Sequence, residues 1–249
     1  MPSCVDRHAI KGMSSQAKSA FTILKDWETA EFMVVPKLCE FLEEQPIQFV
    51  TFSCLGTKKG KEELKLSLEE TFFFRYQRNV IAREIIDLMV SSGIETEITV
   101  ILPDTEPIRT WGWGLSQEEL SGYCHVMIED NLAKLPQGWK VVLWSEIEAK
   151  VGGFTYEDSL MWAKKSAHPL VVKEEALHLL GFPNILTKGK AEDVALRQVA
   201  AYAFEGYVLE QCLPNAILLQ SEFPVKRKDG MYQPLRTKKL PVVHPFPLP

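Results

Sequence analysis

Three apolar, strand-like stretches each end on a polar group that can do chemistry. The groups are the hydroxyl of Ser53, the carboxylate of Asp104, and the pair Ser145-Glu146. Ligands of open parallel sheets bind outside the carboxyl ends of the strands, so each of these positions is a candidate for catalysis. Serine and aspartate also cap helices and build turns, so a structural role is the alternative at each position.

Glu205 is a second candidate, because of the helix that should carry it. Residues 191–212 carry apolar side chains around most of the helix circumference, which predicts a buried helix. None of the positions three or four residues from Glu205 is a cation. Burial disfavours the charged form of a carboxylate, and this suits a general base or a proton shuttle. The alternative is a carboxylate that reaches solvent or pairs with a distant cation.

Familiar cofactor and metal motifs are missing from the sequence. The lysine-rich stretch TKKGKEELK lacks P-loop spacing, and the dinucleotide pattern G-x-G-x-x-G does not occur. The five cysteines have no C-x-x-C spacing, and His125 and His178 lack companions at ligand spacing. We therefore expect reduced thiols, no metal and no bound cofactor. The run WGWG at 111–114 is either an aromatic pocket wall or a packed loop.

The elements that must position these groups alternate between strand and helix. Strands are predicted at 47–52, 98–102, 139–144 and 216–220, and helices at 21–42 (broken), 80–92, 116–135 and 191–212. Such alternation predicts an α/β fold with a mostly parallel sheet and crossover helices. We expect a single domain over 1–249, with residues 1–17 flexible and the basic, proline-rich tail 225–249 packed on the domain or extending from it.

Composition narrows the class of protein. The chain has 249 residues and a net charge of −5, which argues against a surface dominated by nucleic-acid binding, although a local basic patch is compatible with it. The beginning of the chain has no apolar core of the signal-peptide kind, and no stretch approaches a membrane span. A cytoplasmic protein that does not contact a membrane is expected.

Three separated segments resemble the tRNA-dependent cyclodipeptide synthases. FVTFSCLG at 49–56 is similar to that family's first strand and nucleophile loop, and VILPDT at 100–105 is similar to its next strand. YAFE at 202–205, followed by SEFP at 221–224, resembles the family's late helix glutamate and downstream Tyr-Pro or Tyr-His pair, with Phe223 in place of the tyrosine. The resemblance implies a Rossmann-like fold with helices on both faces of the sheet, similar to the catalytic domains of class I tyrosyl- and tryptophanyl-tRNA synthetases.

The resemblance also implies an activity and its residues. Two aminoacyl-tRNAs would be joined into a cyclic dipeptide (a 2,5-diketopiperazine) through an acyl-enzyme on Ser53. Glu205 and Tyr202 would hold the amino group, with Glu205 also transferring protons. Tyr202 stands three residues before the glutamate, where the family has four. Predicted substrate contacts are Gly56, Phe49, Thr51, Asp104, Phe223 and Pro224.

The partner implied by the resemblance is aminoacyl-tRNA, and no ATP or metal is needed because its ester bond is already activated. The helix after Asp104, which the family uses to bind tRNA, carries four acids against Lys134 between 116 and 134. The tRNA contacts are therefore expected at lysines elsewhere: Lys58, Lys59, Lys61, Lys164 and Lys165. Two other functions stay open: a different small-molecule transferase or hydrolase on the same fold, and a non-catalytic nucleic-acid-binding module that uses the basic tail.

Overall fold

A computed structural model describes residues 10–26, 35–52, 77–112, 115–131, 135, 137–180, 188–219 and 240–243. The helices are α1 (Ser15–Asp26), α2 (Val35–Leu42), α3 (Gln77–Ser91), α4 (Glu106–Trp111), α5 (Gln117–Asn131), α6 (Trp144–Glu148), α7 (Tyr156–Ser166), α8 (Pro169–Leu179) and α9 (Lys188–Cys212). The strands are β1 (Ile47–Phe52), β2 (Thr96–Leu102), β3 (Trp139–Leu143), β4 (Ala216–Leu219) and β5 (Val242–Val243).

The strands form one sheet in the order β3-β2-β1-β4-β5, and every pairing is parallel. The chain moves outward from β1 through β2 to β3 and then returns across the sheet to β4 on the other side of β1. This reversal makes the boundary between β1 and β4 the topological switch point, the place where doubly wound sheets bind ligands. The α/β fold with a parallel sheet, predicted from the sequence, is confirmed.

Strand β1 forms the centre of the sheet because both of its faces are apolar. Ile47 and Phe49 point into the core formed with α1, α2 and α3, whereas Val50 and Phe52 point into the core formed with α6, α7 and α9. Successive side chains of a strand alternate between the two faces, so a nearly continuous apolar run suits a strand covered on both sides. Helices therefore lie on both faces of the sheet, as expected.

Helix α9 makes the long return from β3 to β4, and it is buried along most of its length. It packs against α4, α7 and α8. The hydroxyl of Ser159 donates to the carbonyl oxygen of Ala200 at 2.7 Å, which fixes α7 against the middle of α9. The prediction of a buried helix over 191–212 is confirmed, and the helix begins three residues earlier, at Lys188.

Gly138 fixes the start of β3. Its φ is +82°, and a Cβ atom here would lie 2.8 Å from the carbonyl oxygen of Thr96. Its own carbonyl accepts from the backbone nitrogen of Ile98 at 2.9 Å. Only glycine allows this close approach, which sets the register between β2 and β3.

The structure adds detail to the sequence predictions at four places. In the segment expected to be flexible, residues 1–17, helix α1 begins at Ser15, and Met13 and Ala17 are buried. β3 ends at Leu143, and Trp144 is the first residue of α6 and not the last of the strand. The short helix α4 is not predicted by the sequence pattern. Residues 242–243 of the proline-rich tail form β5 beside β4.

Within the described segments, no helix has the length and apolar character needed to cross a membrane.

Candidate active site

A row of aromatic rings connects the carboxyl end of β1 to the middle of α9. The ring of Phe52, the last residue of β1, lies 5.6 Å from the ring of Trp144 between centroids. Trp144 in turn lies 6.2 Å from Phe204, with the two rings nearly perpendicular. Trp144 is 1% exposed, so the row is a packed part of the core. Residues next to Phe204 on α9 are thereby held close to the strand ends.

Glu205 and Tyr202 are both buried in α9, at 1% and 6% exposure. The predicted burial of Glu205 is confirmed. On a helix with about 3.6 residues per turn, Gln198, Tyr202 and Glu205 fall within about 60° of one another and so share one face. The side-chain nitrogen of Gln198 donates to the Tyr202 hydroxyl. The catalytic roles of Tyr202 and Glu205 remain predictions.

Several predicted site residues lie outside the described part of the chain. They are Ser53, Gly56, Lys58, Lys59, Lys61, Phe223 and Pro224. Convergence of Ser53 with Tyr202 and Glu205 therefore stays a prediction. The residue before Ser53 is Phe52, which the structure describes. The contact of its ring with Trp144 shows that the Phe52 side chain lies on the α9 side of the sheet.

Phe49 and Thr51 of β1 are buried, at 1% and 4% exposure. Alternation along the strand points both side chains away from the face that Phe52 shares with α9. Phe49 belongs to the core between the sheet and α1, α2 and α3. The structure thus gives Phe49 a packing role. The sequence pattern alone does not tell this role from the predicted substrate contact.

Asp104 is fully buried at the carboxyl end of β2 and ties that end to α6. One carboxylate oxygen accepts from the backbone nitrogen of Ser145 at 2.9 Å, and the other accepts from the Ser145 hydroxyl at 2.6 Å. A helix start leaves its first backbone N–H groups without helical partners, and Asp104 satisfies one of them for α6. This bond explains why the chain turns into a helix at Trp144. A substrate contact of Asp104 remains a prediction.

Replacing Asp104 by alanine is expected to lower the free energy of unfolding by about 2–4 kcal/mol, because the hydroxyl and N–H of Ser145 then lose a charged acceptor in the core. Ser145→Ala, which removes one of the two bonds, should cost about half as much. Urea unfolding followed by tryptophan fluorescence measures both values. Equal stability of the Asp104→Ala variant and the wild type would contradict this structural role.

Cys124 packs beside Asp104 and is fully buried. Burial raises the pKa of its thiol to about 12, and the negative charge of Asp104 adds to the effect. The thiol therefore stays protonated at neutral pH and is a poor nucleophile. Cys39, Cys124 and Cys212 are free thiols, which agrees with the reduced state expected for these three.

The sequence did not reveal a polar cluster of Arg109, Glu148 and Tyr156. Arg109 donates to both carboxylate oxygens of Glu148, at 2.7 and 2.8 Å, and its guanidinium lies 5.3 Å from the centroid of the Tyr156 ring. Burial by itself would lower the pKa of Arg109, but its hydrogen bond to Glu148 and the charge of that residue outweigh burial and raise it. Burial, followed by the charge of Glu106, raises the pKa of Tyr156 to about 12. Arg109 and Glu148 are 39 positions apart, so no local pattern indicates this pair.

This cluster borders a cleft of about 340 Å³ beyond the carboxyl end of β3. Its lining residues are Gln117, Ser145, Glu148, Ala149, Val151, Phe154, Thr155, Glu157 and Phe204. The cleft adjoins the aromatic row through Phe204. Of the substrate contacts expected from the sequence, the three that the structure describes (Phe49, Thr51 and Asp104) do not line it, whereas Ser145 is one of the polar groups noted at strand ends.

Lys164 and Lys165 are exposed in the last turn of α7. Trp162, two residues before Lys164, is 45% exposed. A groove of about 480 Å³ runs between the end of α7, the start of α8 and the start of α9, and Lys164 and Lys173 line it. The two lysines are therefore accessible, and their contact with tRNA remains a prediction.

The chain is similar over most of its length to a solved structure. No protein-family model matches the chain, and no curated protein matches it. A solved structure entitled "Crystal structure of Cyclo(L-leucyl-L-phenylalanyl) synthase" matches with a TM-score of 0.39 and 10% sequence identity. The match covers 93% of this chain and 95% of that one, and it falls in the family that the sequence resembles.

Among the described residues, no group of three or more histidine, cysteine, aspartate or glutamate side chains is placed to hold a metal ion.

Proposed function

We propose that this protein is an aminoacyl transferase that joins two aminoacyl-tRNAs into a cyclic dipeptide through an acyl-enzyme on Ser53. The observation that carries the proposal is the aromatic row from Phe52 through Trp144 to Phe204. One end of the row is the residue before the proposed nucleophile, and the other end is the residue before the proposed proton-transfer group. Phe52 ends β1 and Trp144 directly follows β3, so the row lies at the carboxyl edge of the parallel sheet, where such sheets bind ligands.

In the first step the Ser53 hydroxyl attacks the ester carbonyl of an aminoacyl-tRNA. The ester bond to the tRNA breaks, the serine ester forms, and the proton of the hydroxyl passes to the released 3′-oxygen of the tRNA. An ester of this kind is already activated, so the step needs no nucleotide hydrolysis. The enzyme contributes a positioned nucleophile and a group that moves the proton.

In the second step the amino group of a second aminoacyl-tRNA attacks the serine ester, which releases Ser53 and forms a dipeptidyl-tRNA. The free amino group of that dipeptide then attacks its own ester to tRNA and closes the six-membered ring. Each attack requires an amine to lose a proton and an alkoxide to gain one. Glu205 is the proposed carrier, since a buried carboxylate favours its neutral form and exchanges protons readily.

The tRNA is proposed to contact Lys164 and Lys165, together with Lys58, Lys59 and Lys61. Exposed lysines neutralise backbone phosphates without reading sequence, and this suits an enzyme that accepts a tRNA mainly through its acceptor end. Affinity that rests on such contacts falls steeply with rising salt. The aminoacyl group itself is proposed to lie against the face of α9 that carries Tyr202 and Glu205.

Expression in a bacterium, followed by mass spectrometry of the medium, tests the proposal. A diketopiperazine that is present with the chain and absent from the empty-vector host is expected. In a reaction with purified components, ribonuclease should stop product formation. Product that is insensitive to ribonuclease would favour a small-molecule transferase or hydrolase, and no diketopiperazine at all would refute the proposal.

A further inference from the structure

Gln198 lies one turn before Tyr202, on the face of α9 that also carries Glu205. Its side-chain nitrogen donates a hydrogen bond to the Tyr202 hydroxyl. The nitrogen and the oxygen of an amide are bonded to the same carbon and lie with it in one plane, so the direction of the nitrogen also sets the direction of the oxygen. The oxygen of Gln198 therefore has a defined direction beside Tyr202.

That oxygen is a buried acceptor. In the described part of the chain, the Oε1 atom of Gln198 is enclosed and has no hydrogen-bond partner. Folded proteins rarely keep a buried polar atom without a hydrogen-bond partner, and a role in ligand binding or catalysis is one explanation for such an atom.

The chemistry of this face selects the kind of ligand. The carboxylate of Glu205, the hydroxyl of Tyr202 and the amide oxygen of Gln198 can all accept hydrogen bonds. The side chains that flank them on α9 are apolar and buried: Val194, Ala201, Val208 and Leu209. Acceptors set in an apolar surround favour a ligand that brings donors and positive charge. An ammonium group has three donors and no acceptor.

We infer that Gln198 is a binding residue of this site, and that its side-chain oxygen accepts a hydrogen bond from the α-ammonium group of the bound aminoacyl ligand. The identity of the ligand rests on the proposed function. The bond from Gln198 to Tyr202 holds the acceptor in place before the ligand arrives, so little entropy is lost when it binds.

Two matched probes test the inference by calorimetric titration of the full chain. One is adenosine that carries an aminoacyl group at its 3′ position through a stable amide bond. The other carries the same acyl group without the α-amino group. The wild type should bind the amino probe about tenfold or more tightly than the des-amino probe, as expected for a hydrogen bond to a charged donor.

Gln198→Leu should weaken binding of the amino probe about tenfold and leave the affinity for the des-amino probe unchanged. Gln198→Glu, which keeps an acceptor oxygen at this position, should restore the preference for the amino probe. Gln211→Leu is the matched control, because Gln211 is an exposed glutamine in the same helix. It should behave as the wild type with both probes.

Equal affinity of the wild type for the two probes, or no binding of the amino probe, would overturn the inference. The same holds if Gln198→Leu weakens both probes equally, since this would indicate packing alone. Diketopiperazine formation by the wild type is measured in a separate experiment. A wild type that makes diketopiperazine but does not distinguish the probes refutes the role of Gln198 alone. A wild type that distinguishes them through Gln198 but makes no product refutes the proposed function alone.

Discussion

Replacing Ser53 by alanine is expected to reduce the rate of cyclic dipeptide formation at least about 10³-fold, because its hydroxyl is the group proposed to carry the first aminoacyl group. Without it, the two-step transfer has no covalent intermediate. Direct attack of one aminoacyl-tRNA on another would have to align two large substrates at once. The measurement is the initial rate of diketopiperazine release by the purified protein from aminoacyl-tRNA.

Ser91→Ala is the control for this change. Ser91 is an exposed serine at the end of α3, and its hydroxyl donates only to the carbonyl of Leu88 in its own helix. That variant should react at the rate of the wild type. Product formed by Ser53→Ala at more than about a tenth of the wild-type rate would mean that another group accepts the acyl chain.

Glu205→Gln is expected to lower kcat about 10²- to 10⁴-fold, the usual contribution of a positioned proton-transfer group. The glutamine has nearly the same size, and Glu205 is 1% exposed, so the packing of α9 should change little. Loss of proton transfer should therefore appear in kcat, with a thermal midpoint within a few degrees of the wild type. Steady-state kinetics and a thermal melt of the same preparation separate the two effects.

Glu118→Gln provides the matched control, because Glu118 is an exposed glutamate in the first turn of α5. It should leave kcat and the thermal midpoint unchanged. A Glu205→Gln variant that retains activity within about threefold would remove Glu205 from the chemistry. A variant that simply unfolds would show in the melt, and Glu205→Asp would then separate a lost carboxylate from lost packing.

The sequence was most informative where burial made the local pattern strong. β1 is predicted residue for residue, because a strand covered on both faces forms a nearly continuous apolar run. The buried position of Glu205 follows from a helix that is apolar nearly all round, and the structure confirms it. β2 is predicted two residues short, since Thr96 and Glu97 are partly exposed and break the apolar run.

What the sequence did not predict depends on contacts between distant residues. Trp144 continues the apolar run of β3 and therefore suggests strand, but Asp104, 40 positions earlier, stabilises a helix start at this point. The pairing of Arg109 with Glu148 leaves no local signal for the same reason. The direction of Gln198 is equally invisible in sequence, because a glutamine in a helix is usually a solvated residue.

Alternation along β1 also distinguishes Phe49 from Phe52, which the sequence pattern alone does not. Phe49 and Phe52 both lie in the strand before Ser53, yet they point to opposite faces of the sheet. Phe52 contacts Trp144 and so lies on the α9 side, whereas Phe49 fills the other core. Phe49 is among the substrate contacts expected from the sequence, and its place in the other core favours a packing role.

The most direct measurement is the intact mass of the protein after brief mixing with a single aminoacyl-tRNA, followed by acid quenching and peptide mapping. An added mass of one aminoacyl group, located on Ser53 and absent from Ser53→Ala, is the predicted result. Diketopiperazine formation without any such adduct, or an adduct on a residue other than Ser53, would contradict the acyl-enzyme at the end of β1.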